Sequence, residues 1–174
     1  SLSLSVLFSY KLTLMAVITF VVTSAANMIN DSFDLSVDKI NRPERPLPLN
    51  KINPENVLLV SVFLFFLSLF LSLLFHFYIQ LIVFIAILIS FYYTPVLKKM
   101  GLIKNLSISL NVFFSFLCGG LLTDNVMAVI PIACFSFLLI TYREIIKDLY
   151  DYEGDKKNNI RTLTVVWGLK KAWW

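Results

Sequence analysis

Five stretches of the chain are almost wholly apolar, and short segments rich in charge and turn residues separate them. They cover 12–29, 57–75, 78–93, 106–122 and 126–146. Most reach the ~17–25 residues that an α-helix needs to cross a hydrocarbon core; 78–93 is shorter and depends on its flanks. The apolar positions are continuous rather than alternating, which excludes a closed membrane β-barrel and predicts helices. The first run passes straight into an acidic segment, so it reads as a span and not as a cleaved signal peptide.

Local signals mark the helix ends. Asn53-Pro54-Glu55 gives an N-cap, a proline at the first helical position and an acid in the first turn. Pro95 disfavours helical geometry at Thr94 and ends the third run. Asn105 is expected to open the fourth run, and Asp124-Asn125 to form the turn and cap before the fifth. Pro131 falls in the first turns of that run, where it costs least. Gly119-Gly120 is a candidate for close helix packing, with simple flexibility near a helix end as the competing reading.

Composition sharpens this picture. Of 174 residues, 58% are hydrophobic and 16 are phenylalanine, far more apolar surface than a soluble domain of this length can hide. The chain reads as one membrane-embedded domain, 1–174, without internal linkers. It opens inside an apolar stretch and stops at Trp173-Trp174, just after 162–168 begins a further helix, so it is expected to be incomplete at both ends. Cys118 and Cys134 lie inside apolar runs and are expected to be buried free thiols.

The charges then set the topology. Lys39, Arg42, Arg45 and Lys51 lie between runs one and two. Lys98, Lys99 and Lys104 lie between three and four. Arg143, Lys147, Lys156, Lys157, Arg161, Lys170 and Lys171 lie at or beyond the end of run five. The intervening turns at His76 and 123–125 hold no lysine or arginine. This alternation is the positive-inside pattern, and it puts the basic loops in the cytoplasm. The net charge of +4 sits in loops beside membrane helices, which favours phosphate or anionic lipid head groups over nucleic acid. His76, the only histidine, falls on the opposite side and is not expected to take part in chemistry.

Two acidic motifs sit at the ends of the first and fifth runs on that cytoplasmic side: Asp31, Asp34 and Asp38, then Asp148, Asp151 and Asp155. Both have offsets of i, i+3 and i+7, which place three carboxylates on one helical stripe. A stripe of like charges destabilises a helix, and charges at a membrane edge are costly, so two of them call for a counter-ion. A hard oxygen-seeking cation such as Mg²⁺, held by a few carboxylates and a substrate's phosphates, is the natural candidate. Asn30 falls close to the first stripe and joins the metal set. A lone stripe would equally suit a solvated helix end; the second, at the same spacing, argues against that.

Six aspartates, two Mg²⁺ and a diphosphate still leave negative charge to be balanced. Arg42 and Arg45, in a proline-stiffened segment, have forks that suit phosphate oxygens, and Lys98, Lys147 and Arg161 are further candidates. The competing role of each lysine is to fix topology alone.

Asn30-Asp31-x-x-Asp34-x-x-x-Asp38, followed by Asn41-Arg42-Pro43-x-Arg45-Pro46-x-Pro48, resembles the first signature of the UbiA superfamily of membrane prenyltransferases. Arg143-Glu144-Ile145-Ile146-Lys147-Asp148-x-x-Asp151-x-x-Gly154-Asp155, then Arg161-Thr162-Leu163, resembles the second. The middle segment Tyr93-Thr94-Pro95-x-Leu97-Lys98-Lys99-x-Gly101-Leu102-Ile103-x-Asn105 is also similar, and in the second signature Thr164 stands where the family often has a proline after Thr-Leu.

The resemblance implies an all-α, multi-pass transmembrane bundle with a cytoplasm-facing active site, here about helices two to six of nine. It implies Mg²⁺-dependent prenyl transfer from an isoprenoid diphosphate to a lipophilic acceptor. It gives Asp34, Asp38, Asp151 and Asp155 the catalytic places. Tyr92 or Tyr93 would face an allylic carbocation, against the competing reading of an interfacial aromatic belt. The second motif is most similar to digeranylgeranylglyceryl phosphate synthases, which implies a geranylgeranyl donor and geranylgeranylglyceryl phosphate as acceptor. An aromatic acceptor of the quinone, tocopherol or chlorophyll type is the alternative. A divalent-cation transporter would instead bury its acids near the membrane midplane, and a non-catalytic fragment is a further reading.

Overall fold

A computed structural model describes residues 10–93, 95–97, 100–157 and 162–168. Among these, every regular element is an α-helix: α1 (Tyr10–Phe33), α2 (Leu35–Asn41), α3 (Pro54–Ser72), α4 (Phe77–Tyr93), α5 (Leu102–Leu122), α6 (Val126–Tyr150), α7 (Tyr152–Lys157) and α8 (Leu163–Trp167). The expected spans are present. By length and composition α1, α3, α5 and α6 can each cross a membrane, and α4 is the shorter apolar helix. α1 and α6 outrun the apolar stretches at their C-terminal ends, because helical hydrogen bonding continues beyond the last apolar turn.

α1 is central. Its buried residues Met15, Ile18, Val22, Ala25 and Ile29 recur at intervals of three and four, one stripe of a helix. They meet Phe65 of α3, Ile79, Val83 and Ile87 of α4, and Cys118 of α5. α5 and α6 form the other tight pair. A Cβ on Gly120 would lie 2.5 Å from Val129 Cγ2, so the helices approach where only glycine fits. Gly119 faces open space, and the close-packing role belongs to Gly120 alone. Thr141 Oγ1 donates to Ser109 Oγ at 2.7 Å, and Asn111 Nδ2 donates to Ser90 Oγ at 2.9 Å, tying α5 to α6 and to α4.

The caps follow the sequence in part. Asn53 Oδ1 accepts from Glu55 N at 2.8 Å with Pro54 at the first position, and Asn125 Oδ1 accepts from Ala128 N at 3.3 Å. Asn105 does not open α5. The helix starts at Leu102 after Gly101, whose positive φ of 57° makes the turn, and Asn105 is buried one turn in. Cys134 is exposed rather than buried, because α6 has one side against α5 and the other outward. Phe63, Phe66 and Phe70 of α3 and Phe135, Leu138 and Leu139 of α6 are likewise exposed, the surface expected to meet lipid.

Successive spans alternate in direction. Ser32 Oγ, at the end of α1, donates to Pro54 O at the start of α3 (3.4 Å). The C-terminal ends of α1, α4 and α6 therefore meet the N-terminal ends of α3 and α5. Short α2 packs on short α7, which brings the two acidic motifs together at that end.

Candidate functional site

Each acidic motif bends at its middle aspartate. Asp34 separates α1 from α2 with φ −86° and ψ 9°, and Asp151 separates α6 from α7 with φ −86° and ψ 3°. The i→i−4 bonds run through both bends: Asp38 N to Asp34 O at 2.8 Å, and Asp155 N to Asp151 O at 3.0 Å. The expected straight stripe is thus a pair of matching elbows. Each sits at the C-terminal end of a long helix, where the helix dipole already disfavours negative charge.

Cations answer that cost. Arg45 Nη1 donates to Asp31 Oδ1 at 2.8 Å and to Asp38 Oδ2 at 2.9 Å, bridging the outer carboxylates of the first elbow. Partial burial works against the charged guanidinium, but Asp31 and Asp38 outweigh it and hold Arg45 above its ordinary pKa. Arg42 reaches the other elbow: its Nη2 donates to Asp151 Oδ1 at 3.3 Å and to Oδ2 at 3.4 Å. Asn41 Nδ2 donates to Asp151 O at 3.3 Å. Gly154 makes that approach possible, since a Cβ there would lie 2.4 Å from the Asn41 amide.

A cavity of about 870 Å³ opens between the elbows and runs down among the helices. Asn30, Asp31, Asp34, Asp38, Asp151 and Asp155 line its polar end, with Arg42, Arg45, Lys104 and Lys147. Its deeper wall includes Met15, Ile18 and Val22 of α1, Val83 of α4 and Cys118 of α5. Of the expected tyrosines, Tyr93 lines the cavity, and Tyr92 is exposed and does not. Lys98 and Arg161 lie outside the described residues, as do Trp173 and Trp174.

Asp148 differs from the other five aspartates in its surroundings. It does not line the cavity and is fully buried, with Lys104 Nζ on its Oδ1 and Asn105 Nδ2 donating to its Oδ2 at 3.2 Å. Sequence reasoning missed Lys104, counted only as a loop charge, and Asn41, read only as part of a signature. No sequence signal set Lys104 apart, because the apolar run begins at 106 and Asn105 reads as its cap; only the structure, with the helix starting at Leu102, puts Lys104 in a first turn. Arg143 and Glu144 also line the cavity and pair at 2.8 Å.

The donors suit a hard cation. Among the described residues no three acidic, histidine or cysteine side chains close into a metal cage by themselves. Carboxylates that face one cavity without closing a cage fit Mg²⁺ shared with substrate phosphates and water. The acids gather at one end beside arginines, which does not fit a cation pathway through the midplane.

A family model described as the UbiA prenyltransferase family matches residues 2–174. A digeranylgeranylglyceryl phosphate synthase of Methanosphaera stadtmanae is 35% identical over 165 residues, 95% of this chain and 61% of that protein. One of Methanocaldococcus jannaschii is 38% identical over 163 residues, 94% and 58%. A solved structure described as giving structural and mechanistic insights into digeranylgeranylglyceryl phosphate synthase in membranes is 39% identical, with a TM-score of 0.74, over 93% of this chain and 58% of that one. A UbiA homologue from Archaeoglobus fulgidus bound to GPP and Mg²⁺ shares the fold at 22% identity and a TM-score of 0.76, over 94% and 60%. The chain spans about three fifths of the length of the curated relatives it matches.

Proposed function

The chain belongs to the UbiA prenyltransferase family, and from that premise we propose that its cavity is the donor half of a prenyl-transfer site in an integral membrane protein. The observation that carries the reading is that one cavity joins the acids and arginines of both motifs to an apolar wall. An isoprenoid diphosphate matches it end for end. The diphosphate lies at the elbows, and the prenyl chain lies along Met15, Ile18, Val22 and Val83.

Asn30, Asp31, Asp34, Asp38, Asp151 and Asp155 are the residues that would hold Mg²⁺ with the diphosphate. Bound there, Mg²⁺ supplies positive charge to the leaving diphosphate as the C–O bond breaks. Arg42, Arg45 and Lys147 neutralise the remaining phosphate oxygens. Tyr93 presents its ring to the allylic carbon as positive charge develops. The apolar wall keeps water from capturing that carbon. An acceptor hydroxyl oxygen forms the new bond to C1, the diphosphate departs with the bonding electrons, and the hydroxyl proton is released.

Identities of 35% and 38% to digeranylgeranylglyceryl phosphate synthases support geranylgeranylglyceryl phosphate as acceptor and a geranylgeranyl donor. The basic residues at the site's end support a cytoplasmic orientation. The test uses the full-length protein in membranes with labelled geranylgeranyl diphosphate and Mg²⁺. Geranylgeranylglyceryl phosphate should become labelled, and EDTA should abolish the product. Label only in hydroxybenzoate or homogentisate would overturn the acceptor assignment; label in no acceptor would overturn prenyl transfer.

A further inference from the structure

Lys104 and Asp148 are both on the wrong ends of their helices. Lys104 is in the first turn of α5, where the dipole disfavours a cation, and Asp148 is in the last turn of α6, where it disfavours an anion. Both are nearly inaccessible, at 4% and 0% exposure. Helix formation explains neither residue; each is explained by the other. Lys104 Nζ bonds Asp148 Oδ1, Asn105 Nδ2 takes Oδ2, and the Asp148 carbonyl accepts from Thr164 Oγ1 at 3.0 Å. One aspartate thereby ties α5, α6 and α8 together. Three residues later the chain bends at Asp151 and turns Asp151 and Asp155 toward the cavity.

We infer that Lys104 and Asp148 are a charge-balanced positioning pair, which aims Asp151 and Asp155, and that Asp148 is not a metal ligand. The second motif then offers the cavity two carboxylates, while the third neutralises Lys104 at the cavity's edge. This rests on the reading of the cavity as a cation and diphosphate site. Neutralising Asp148 alone leaves an unpaired buried ammonium, which destabilises the fold and repels a cation nearby. Neutralising both removes the imbalance.

The test compares full-length wild type, Asp148→Asn, Lys104→Met/Asp148→Asn and Asp151→Asn, the last with and without Lys104→Met. Binding of Mn²⁺ in the presence of inorganic pyrophosphate is followed by electron paramagnetic resonance, and thermal unfolding in detergent is followed in parallel. Asp148→Asn should lower Tm and weaken Mn²⁺ binding by roughly tenfold. Adding Lys104→Met should return both, with Mn²⁺ affinity within about threefold of wild type. Asp151→Asn should not recover on adding Lys104→Met. Weak Mn²⁺ binding that persists in the Lys104→Met/Asp148→Asn protein at normal Tm would make Asp148 a ligand and overturn the inference. So would a Tm loss in Asp148→Asn with unchanged affinity, which would leave only a scaffold. If wild type bound no Mn²⁺ with pyrophosphate, the proposed function would fail. The pair would then be judged on Tm alone, and additive changes would refute it.

Discussion

Arg42 and Asp151 meet across the mouth of the cavity at 3.3 Å, although 109 positions separate them in the chain. The pair is part-exposed, so it adds at most about 1 kcal/mol to stability. Its interest lies in what it joins: the loop after the first acidic motif and the elbow of the second. Arg42 stands where a phosphate oxygen could replace the carboxylate as its partner.

Arg42→Ala should therefore leave Tm within a degree or two and raise the KM for the diphosphate donor by about ten- to a hundredfold, the scale of a charge-assisted hydrogen bond. Steady-state kinetics with varied geranylgeranyl diphosphate measure this. A drop in Tm with unchanged KM would make Arg42 a structural tie instead.

Gly154 gives a second handle on the same junction. A methyl group there would lie 2.4 Å from the Asn41 amide, inside any permitted contact. Gly154→Ala should push α7 off α2 and cost about 1–3 kcal/mol, with loss of activity as the elbows part. Shortening the opposing side chain should relieve it, so Asn41→Ser/Gly154→Ala should be more stable than Gly154→Ala alone. Unfolding of the four proteins completes the cycle, and simple additivity would show that the two residues do not compete for space.

The sequence made the spans and most of the cavity's polar end legible for a physical reason. Lipid demands long apolar runs, and acids at a membrane edge need partners, so Asp34, Asp38, Asp151 and Asp155 are conspicuous where they stand. The bends at Asp34 and Asp151 were not legible, because i, i+3 and i+7 spacing suits a straight helix and an elbow alike. Asp148 looked equal to its neighbours in sequence. Only the docking of α5 on α6 reveals that Lys104 and Asn105 take its oxygens. Asn105 looked like a cap for the same reason: its buried partner lies 43 positions away.

Arg45 bridges Asp31 and Asp38, and so does for the first elbow what a bound cation would do. Without it those carboxylates, with Asp34 between them, repel one another until a metal ion arrives. Arg45→Ala should thus have a lower Tm than wild type without divalent ions and should gain about 2–4 °C more from saturating Mg²⁺. Differential scanning fluorimetry across a Mg²⁺ titration would show it. An equal or smaller gain than wild type would mean that Arg45 does not screen this site.

The sharpest demand falls on the middle aspartates, because each sits at an elbow and both line the cavity. Replacing both with asparagine keeps the size and the backbone geometry while removing two negative charges from the end that would hold Mg²⁺ and diphosphate. Asp34→Asn/Asp151→Asn should cut Mg²⁺-dependent transfer by about a thousandfold or more, the scale seen when preorganised charge stabilisation is lost. Membrane insertion should be unchanged, because the apolar spans are untouched. Transfer assays on washed membranes and carbonate extraction of the same membranes separate the two effects. A variant that inserts normally and retains full activity would defeat the two-motif site, whatever the fate of the Lys104–Asp148 pair.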